Sequence, residues 1–160
     1  METSTDNATK MNTDGTKTIG SELEEYQVPV KLKLSALWIV VMFIYVYVDI
    51  FGFYEPGSIE SILDGKVWDF DITQAWAFSA LVLMTIPSLM IFLSLALKAD
   101  WNRKLNIGVG VVYILVSLGN AVGETWAYLI AGSIIEAILL GLVVWYAWSW
   151  PVAPAQGIPE

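Results

Sequence analysis

Trp126 to Trp150 reads WAYLIAGSIIEAILLGLVVWYAWSW, a stretch long enough to cross a bilayer. A helix rising about 1.5 Å per residue needs about 20 apolar residues to cross a hydrocarbon layer about 30 Å thick. Tyr128 to Trp148 has that length and carries one charge, Glu136, near its middle. Aromatic residues crowd the ends, Trp126 and Tyr128 at one, Trp145, Tyr146, Trp148 and Trp150 at the other. Rings with an apolar face and a polar edge collect in this way at the two faces of a membrane.

Composition agrees. In 160 residues, 56% are hydrophobic and only 15% charged, and the mean hydropathy is +0.61, which makes lipid the expected solvent. A net charge of −8 disfavours nucleic acid as a partner. The chain has neither cysteine nor histidine, so thiolate chemistry, the usual ligands of zinc and haem, and the usual base for a serine nucleophile are all missing. We expect no cofactor, no metal and no enzymatic activity. The acidic residues Glu55, Glu60, Asp64, Asp69 and Asp71 do not have the spacing of a calcium-binding loop.

The expected fold is all-α, an integral membrane four-helix bundle with short loops. Residues 1–27, rich in Thr, Ser, Asn and mixed charge, are expected to form a disordered tail. Spans are expected at about 34–53, 75–97, 105–122 and 126–148, within a membrane domain of residues 28–151, and 152–160 form a proline-rich C-terminal tail. In the first outer loop Pro56-Gly57-Ser58 stops one helix and caps the next. Ile59, Ile62 and Leu63 then recur opposite Glu60 and Asp64, as in a short amphipathic helix lying on the membrane surface. Lys98, Asp100, Arg103 and Lys104 read as a short charged loop. Pro87 falls inside the second span, where it frees the carbonyl of Leu83 and kinks the helix. Thr85 and Ser88 are placed to refill the gap. The kink is either a hinge or a fixed feature of packing.

Orientation follows from the basic residues. Lys10, Lys17, Lys31 and Lys33 precede the first span, Lys98, Arg103 and Lys104 lie between the second and third, and Lys66 alone falls on the other side. Basic loops stay in the cytoplasm. Both termini are therefore expected there, in a multi-pass protein of the cytoplasmic membrane with its acidic loop outside.

Two carboxyls fall within spans that contain no lysine or arginine, Glu136 and Asp49. Glu136 lies about 15 Å and Asp49 about 8 Å below the outer surface, at 1.5 Å per residue from Trp126 and Tyr54. Ionising a carboxyl in hydrocarbon costs several kcal/mol unless it is solvated or paired. Glu136 shares a helix face with Gly132, Ser133, Ala137 and Gly141, small residues that admit a neighbouring helix, so it should point into the bundle. Asp49 lies one turn from Tyr45, whose phenol could reach it. With Gln74 and Asn120 at the outer ends of the other spans, Asp49, Glu136, Tyr45 and Ser133 define a candidate outward-facing polar pocket. It would respond to a cation or proton, or its carboxyls would merely fix helix register. The competing classes are a small-solute or proton-coupled transporter and an accessory subunit of a membrane enzyme complex. The partners expected are the lipid bilayer and a second copy or another membrane protein.

VPVKLKLSALWIVVMFIYVYVDIFGFYEPG, MTIPSLMIFLSLAL and IIEAILLGLVVWYAWSWP together resemble a family of small bacterial four-span membrane proteins classed as a domain of unknown function. The resemblance runs from about Val28 to Pro151. Its recurring features are the Lys-rich entry, Tyr47 and Asp49, the Pro87-Ser88 step, Glu136 and the WYAW ending at Trp145 to Trp148. It implies the four-span topology and supplies no reaction.

Overall fold

The computed structural model describes residues 26–68 and 70–151. The expected tails lie outside the described residues, apart from Tyr26 and Gln27, as does Asp69. Among the described residues the fold is helical: α1 (Val30–Gly52), α2 (Ser58–Leu63), α3 (Gln74–Ala96), α4 (Ala99–Asn120) and α5 (Ala127–Trp148), with a hairpin of two-residue strands, β1 (Lys66–Val67) and β2 (Phe70–Asp71), between α2 and α3. Three helices, α1, α3 and α5, are long and apolar enough to cross a membrane. The fourth long helix, α4, spends its first turns on ADWNRK.

Those first turns correct the expected loop. Only Leu97 and Lys98 separate α3 from α4; Asp100, Arg103 and Lys104 are helical. The physical reason is that Asn102 and Asn106, one turn apart, are both fully buried. A polar start to α4 thus belongs to a packed face rather than to a solvated connection. The N-terminal end of α1 is also earlier than expected. Lys31 lies inside the helix and donates from Nζ to the carbonyls of Leu95 (3.3 Å) and Leu97 (2.6 Å), filling acceptors that the end of α3 leaves free.

The turn chemistry in the first loop follows the sequence only in part: α1 already ends at Gly52, before Pro56, and α2 begins at Ser58 behind Gly57 with no side-chain cap bond. Gly57 has φ 87° and precedes α2, and Gly65, at φ 78°, follows it, positions that an L side chain resists. Thr73 caps α3 by accepting a hydrogen bond from the Trp76 N–H (3.1 Å). The hairpin pairs Lys66 with Asp71 and Val67 with Phe70; strands this short leave no periodic signal in sequence.

The helices pack through one continuous set of buried side chains: Leu34, Trp38, Val41 and Tyr45 of α1, Met90 of α3, Tyr113 of α4, and Leu140, Val143 and Ala147 of α5. On α1 these fall at intervals of four, three and four residues, the inward stripe of a bundle helix. The most extensive packing is α5 on α4, followed by α5 on α1 and α1 on α3; α3 touches α4 lightly. Large apolar residues such as Phe43, Phe78, Leu81, Phe92, Leu115 and Ile138 are exposed around the outside, where a bilayer would cover them.

Helix α3 runs without interruption through the buried Pro87. The expected repair is only half right. Thr85 and Ser88 do bond back, but to the carbonyls of Leu81 and Met84 (both 2.7 Å), one turn up their own helix. The Leu83 carbonyl, freed by the proline, instead accepts from the Tyr113 hydroxyl of α4.

Candidate functional site

Helix α5 presents Gly132, Ser133, Glu136, Leu140, Val143 and Ala147 to the bundle. The lack of a side chain at Gly132 has a direct use: a Cβ there would lie 2.6 Å from Val48 Cγ2 of α1. Gly110 does the same for α4, since its Cβ would lie 2.8 Å from Val144 Cγ2. These two close approaches seat α5 between α1 and α4 and enclose Glu136 at 3% exposure. Gly141, on the same side in the sequence reading, has nothing within 4 Å and plays no such part.

The Glu136 carboxyl faces the Ser117 hydroxyl of α4. Ser117 is fully buried and shares a hydrogen bond of 3.3 Å with the Tyr45 hydroxyl. Ser133, one turn before Glu136, is also buried. The centre of the site is therefore a carboxyl, the Ser117 hydroxyl and a phenol, with no lysine or arginine in the apolar stretches around it.

The six expected pocket residues divide. Tyr45, Ser133 and Glu136 come together in the interior, whereas Asp49 is exposed in the last turn of α1, and Gln74 and Asn120 are exposed at the ends of α3 and α4. The expected bond between Tyr45 and Asp49 does not form; the phenol is taken by Ser117. Above the site the Tyr128 hydroxyl donates to Glu55 Oε1 (2.6 Å) and lies 3.6 Å from where a Gly52 Cβ would stand. This contact ties the first outer loop to the start of α5.

A second polar layer was not anticipated. Trp38 Nε1 donates to Asn106 Oδ1 (2.7 Å), which also accepts from the Ser94 hydroxyl (3.2 Å). Asn106 Nδ2 donates to the Asn102 side-chain oxygen (2.6 Å) and backbone oxygen (2.9 Å), and Asn102 Nδ2 to the Ser94 carbonyl (2.5 Å). A signal existed: Asn102, Asn106, Gly110, Tyr113 and Ser117 recur at intervals of four, four, three and four residues, a polar and small face on an otherwise apolar helix. Among the described residues no buried side-chain nitrogen or oxygen lacks a partner.

Fold and site together define a class, an all-helical protein with three membrane-length apolar helices and a buried carboxyl. The chain belongs to a family of unknown function, DUF6326, whose model matches residues 22–153. No curated protein and no solved structure matches it.

Proposed function

We propose that the chain is a four-span protein of the cytoplasmic membrane with both termini in the cytoplasm, that it is not an enzyme, and that Glu136 is its proton-responsive group. The fourth span is α4. Its 22 residues extend about 33 Å, and it packs antiparallel to α5, with Arg103 at Trp148 and Ser117 at Glu136. Two helices so paired share one depth in the bilayer. Basic side chains gather at one end over aromatic rings, Lys33 at 5.2 Å from Tyr146, Arg103 at 5.7 Å from Trp148 and Lys104 at 5.7 Å from Trp101, as expected of a cytoplasmic interface. Helix α2, with no buried residue, lies on the opposite membrane surface.

The observation that carries the role is the burial of Glu136 beside the Ser117 hydroxyl with no basic side chain in the apolar stretches around it. A purely structural helix has little reason to keep a carboxyl at this depth, where charge is costly and gain or loss of one proton alters the local electrostatics strongly. Reporter fusions to each terminus and to the loop at Gly57 test the topology. Glu136→Gln is expected to fold and to lose any response of the purified protein to pH between its folded forms. A variant with an unaltered pH response leaves Glu136 a register-setting residue.

A further inference from the structure

We infer that protons reach Glu136 from the side of the acidic loop alone, with Asp49 as the entry residue, and that the basic half of the bundle is closed to them. The inference rests on the reading of Glu136 as a protonatable group and adds its sidedness, which separates a one-sided sensor from a proton-coupled transporter.

The groups around Glu136 are graded along the bundle. On α1, Tyr45 bonds to Ser117, and Asp49 lies one turn nearer the acidic loop, exposed and next to Val48, which packs on Gly132 one turn before Glu136. On α4, Ser117 faces the carboxyl and Tyr113 lies within electrostatic reach of Tyr45. On α5 itself Tyr128 is eight residues away, about 12 Å, where it meets Glu55 and feels Glu124 as well as Asp49. Among the described residues, the carboxyls Asp49, Glu55 and Glu124 thus lie on the acidic-loop side of Glu136. Relay of a proton through a membrane protein commonly uses such a succession of acids and water.

Toward the basic end the succession stops. Val41, Leu140 and Val143 are each fully buried below Glu136, and α4 packs directly on α5 there, a Cβ at Gly110 lying 2.8 Å from Val144 Cγ2. A bridging water needs two to four polar partners, which this apolar layer does not offer. The one hydroxyl at its edge, Tyr113, donates to a backbone carbonyl, an acceptor that cannot hand a proton onward. Beyond it, Trp38, Ser94, Asn102 and Asn106 satisfy one another, and none of these side chains ionises near neutral pH.

The test uses the full chain in phosphatidylcholine vesicles. Ser4→Cys, the sole thiol in a chain without cysteine, scores orientation by its reaction with an impermeant reagent. The infrared band of the protonated Glu136 carboxyl is identified by its absence in Glu136→Gln and, independently, by its shift with 13C-glutamate. A pH step on the acidic-loop side is expected to change this band, a step on the other side to leave it unchanged until the gradient decays, and Asp49→Asn to slow the response about tenfold. A prompt response to a step on the basic side overturns the sidedness while keeping Glu136 as the responsive group. An unslowed response in Asp49→Asn overturns Asp49 as the entry. A carboxyl band indifferent to steps on both sides overturns the reading of Glu136 and this inference with it.

Discussion

The Tyr113 hydroxyl of α4 donates to the Leu83 carbonyl of α3, the acceptor that Pro87 leaves without its helical N–H four residues on. The two helices otherwise touch lightly, and this bond is one of three polar ties between them, the others joining Ser94 of α3 to Asn102 and Asn106 of α4. Tyr113→Phe keeps the ring and its edge-on contact with Trp38 (6.4 Å between centroids) but orphans the carbonyl. The expected cost is about 1–2 kcal/mol. It is read as a fall in unfolding free energy in mixed micelles, with Ser88→Ala, which releases only a locally bonded carbonyl, as the smaller comparison.

Gly132→Ala is expected to destabilise the bundle by about 1–3 kcal/mol, because the added carbon would meet Val48 Cγ2 at 2.6 Å and either the side chain or the helix must move. Gly141→Ala, with open space around it, is expected to be neutral or slightly stabilising. Thermal denaturation of both, and of Gly132→Ala with Val48→Ala, checks the contact. The double variant should recover part of the loss, since the two sites share one clash.

Asn106→Leu removes the acceptor of Trp38 Nε1 and the donor to Asn102 Oδ1 at a fully buried position. Each orphaned group costs about 1–3 kcal/mol, so the folded fraction should fall more than for a Leu substitution at the exposed Asn120. Tryptophan fluorescence of Trp38, compared with a Trp38→Phe background, follows the loss.

Tyr128→Phe cuts the hydroxyl bond to Glu55. Stability is expected to change by less than about 1 kcal/mol, because the bond is only partly shielded from water. Hydrogen exchange over residues 53–66 should accelerate, while exchange in the middle of α5 should not.

The three helices long and apolar enough to cross a membrane were legible in the sequence because that property depends on sums over about 20 consecutive residues. The inward direction of Glu136 was legible too, since Gly132 and Ser133 mark one face of a 3.6-residue repeat. The start of α4 was not. Charge count alone made Asp100, Arg103 and Lys104 a loop, and only burial of Asn102 and Asn106 on one face shows why the backbone stays helical there. Asp49 and Tyr45 illustrate the same limit. Their spacing allows a hydrogen bond, but spacing could not reveal that Ser117, on another helix and 72 residues away, would claim the phenol.

What the amino-acid sequence determined by itself was which segments form long apolar helices and which face of α5 turns inward, because hydropathy and periodicity are properties of one stretch at a time. Which polar groups meet was decided only in the folded bundle. Helices approach through Gly132 and Gly110, and the partners thus brought within 3 Å or so lie far apart in the chain. The energy of a hydrogen bond depends on that distance, which no single segment contains.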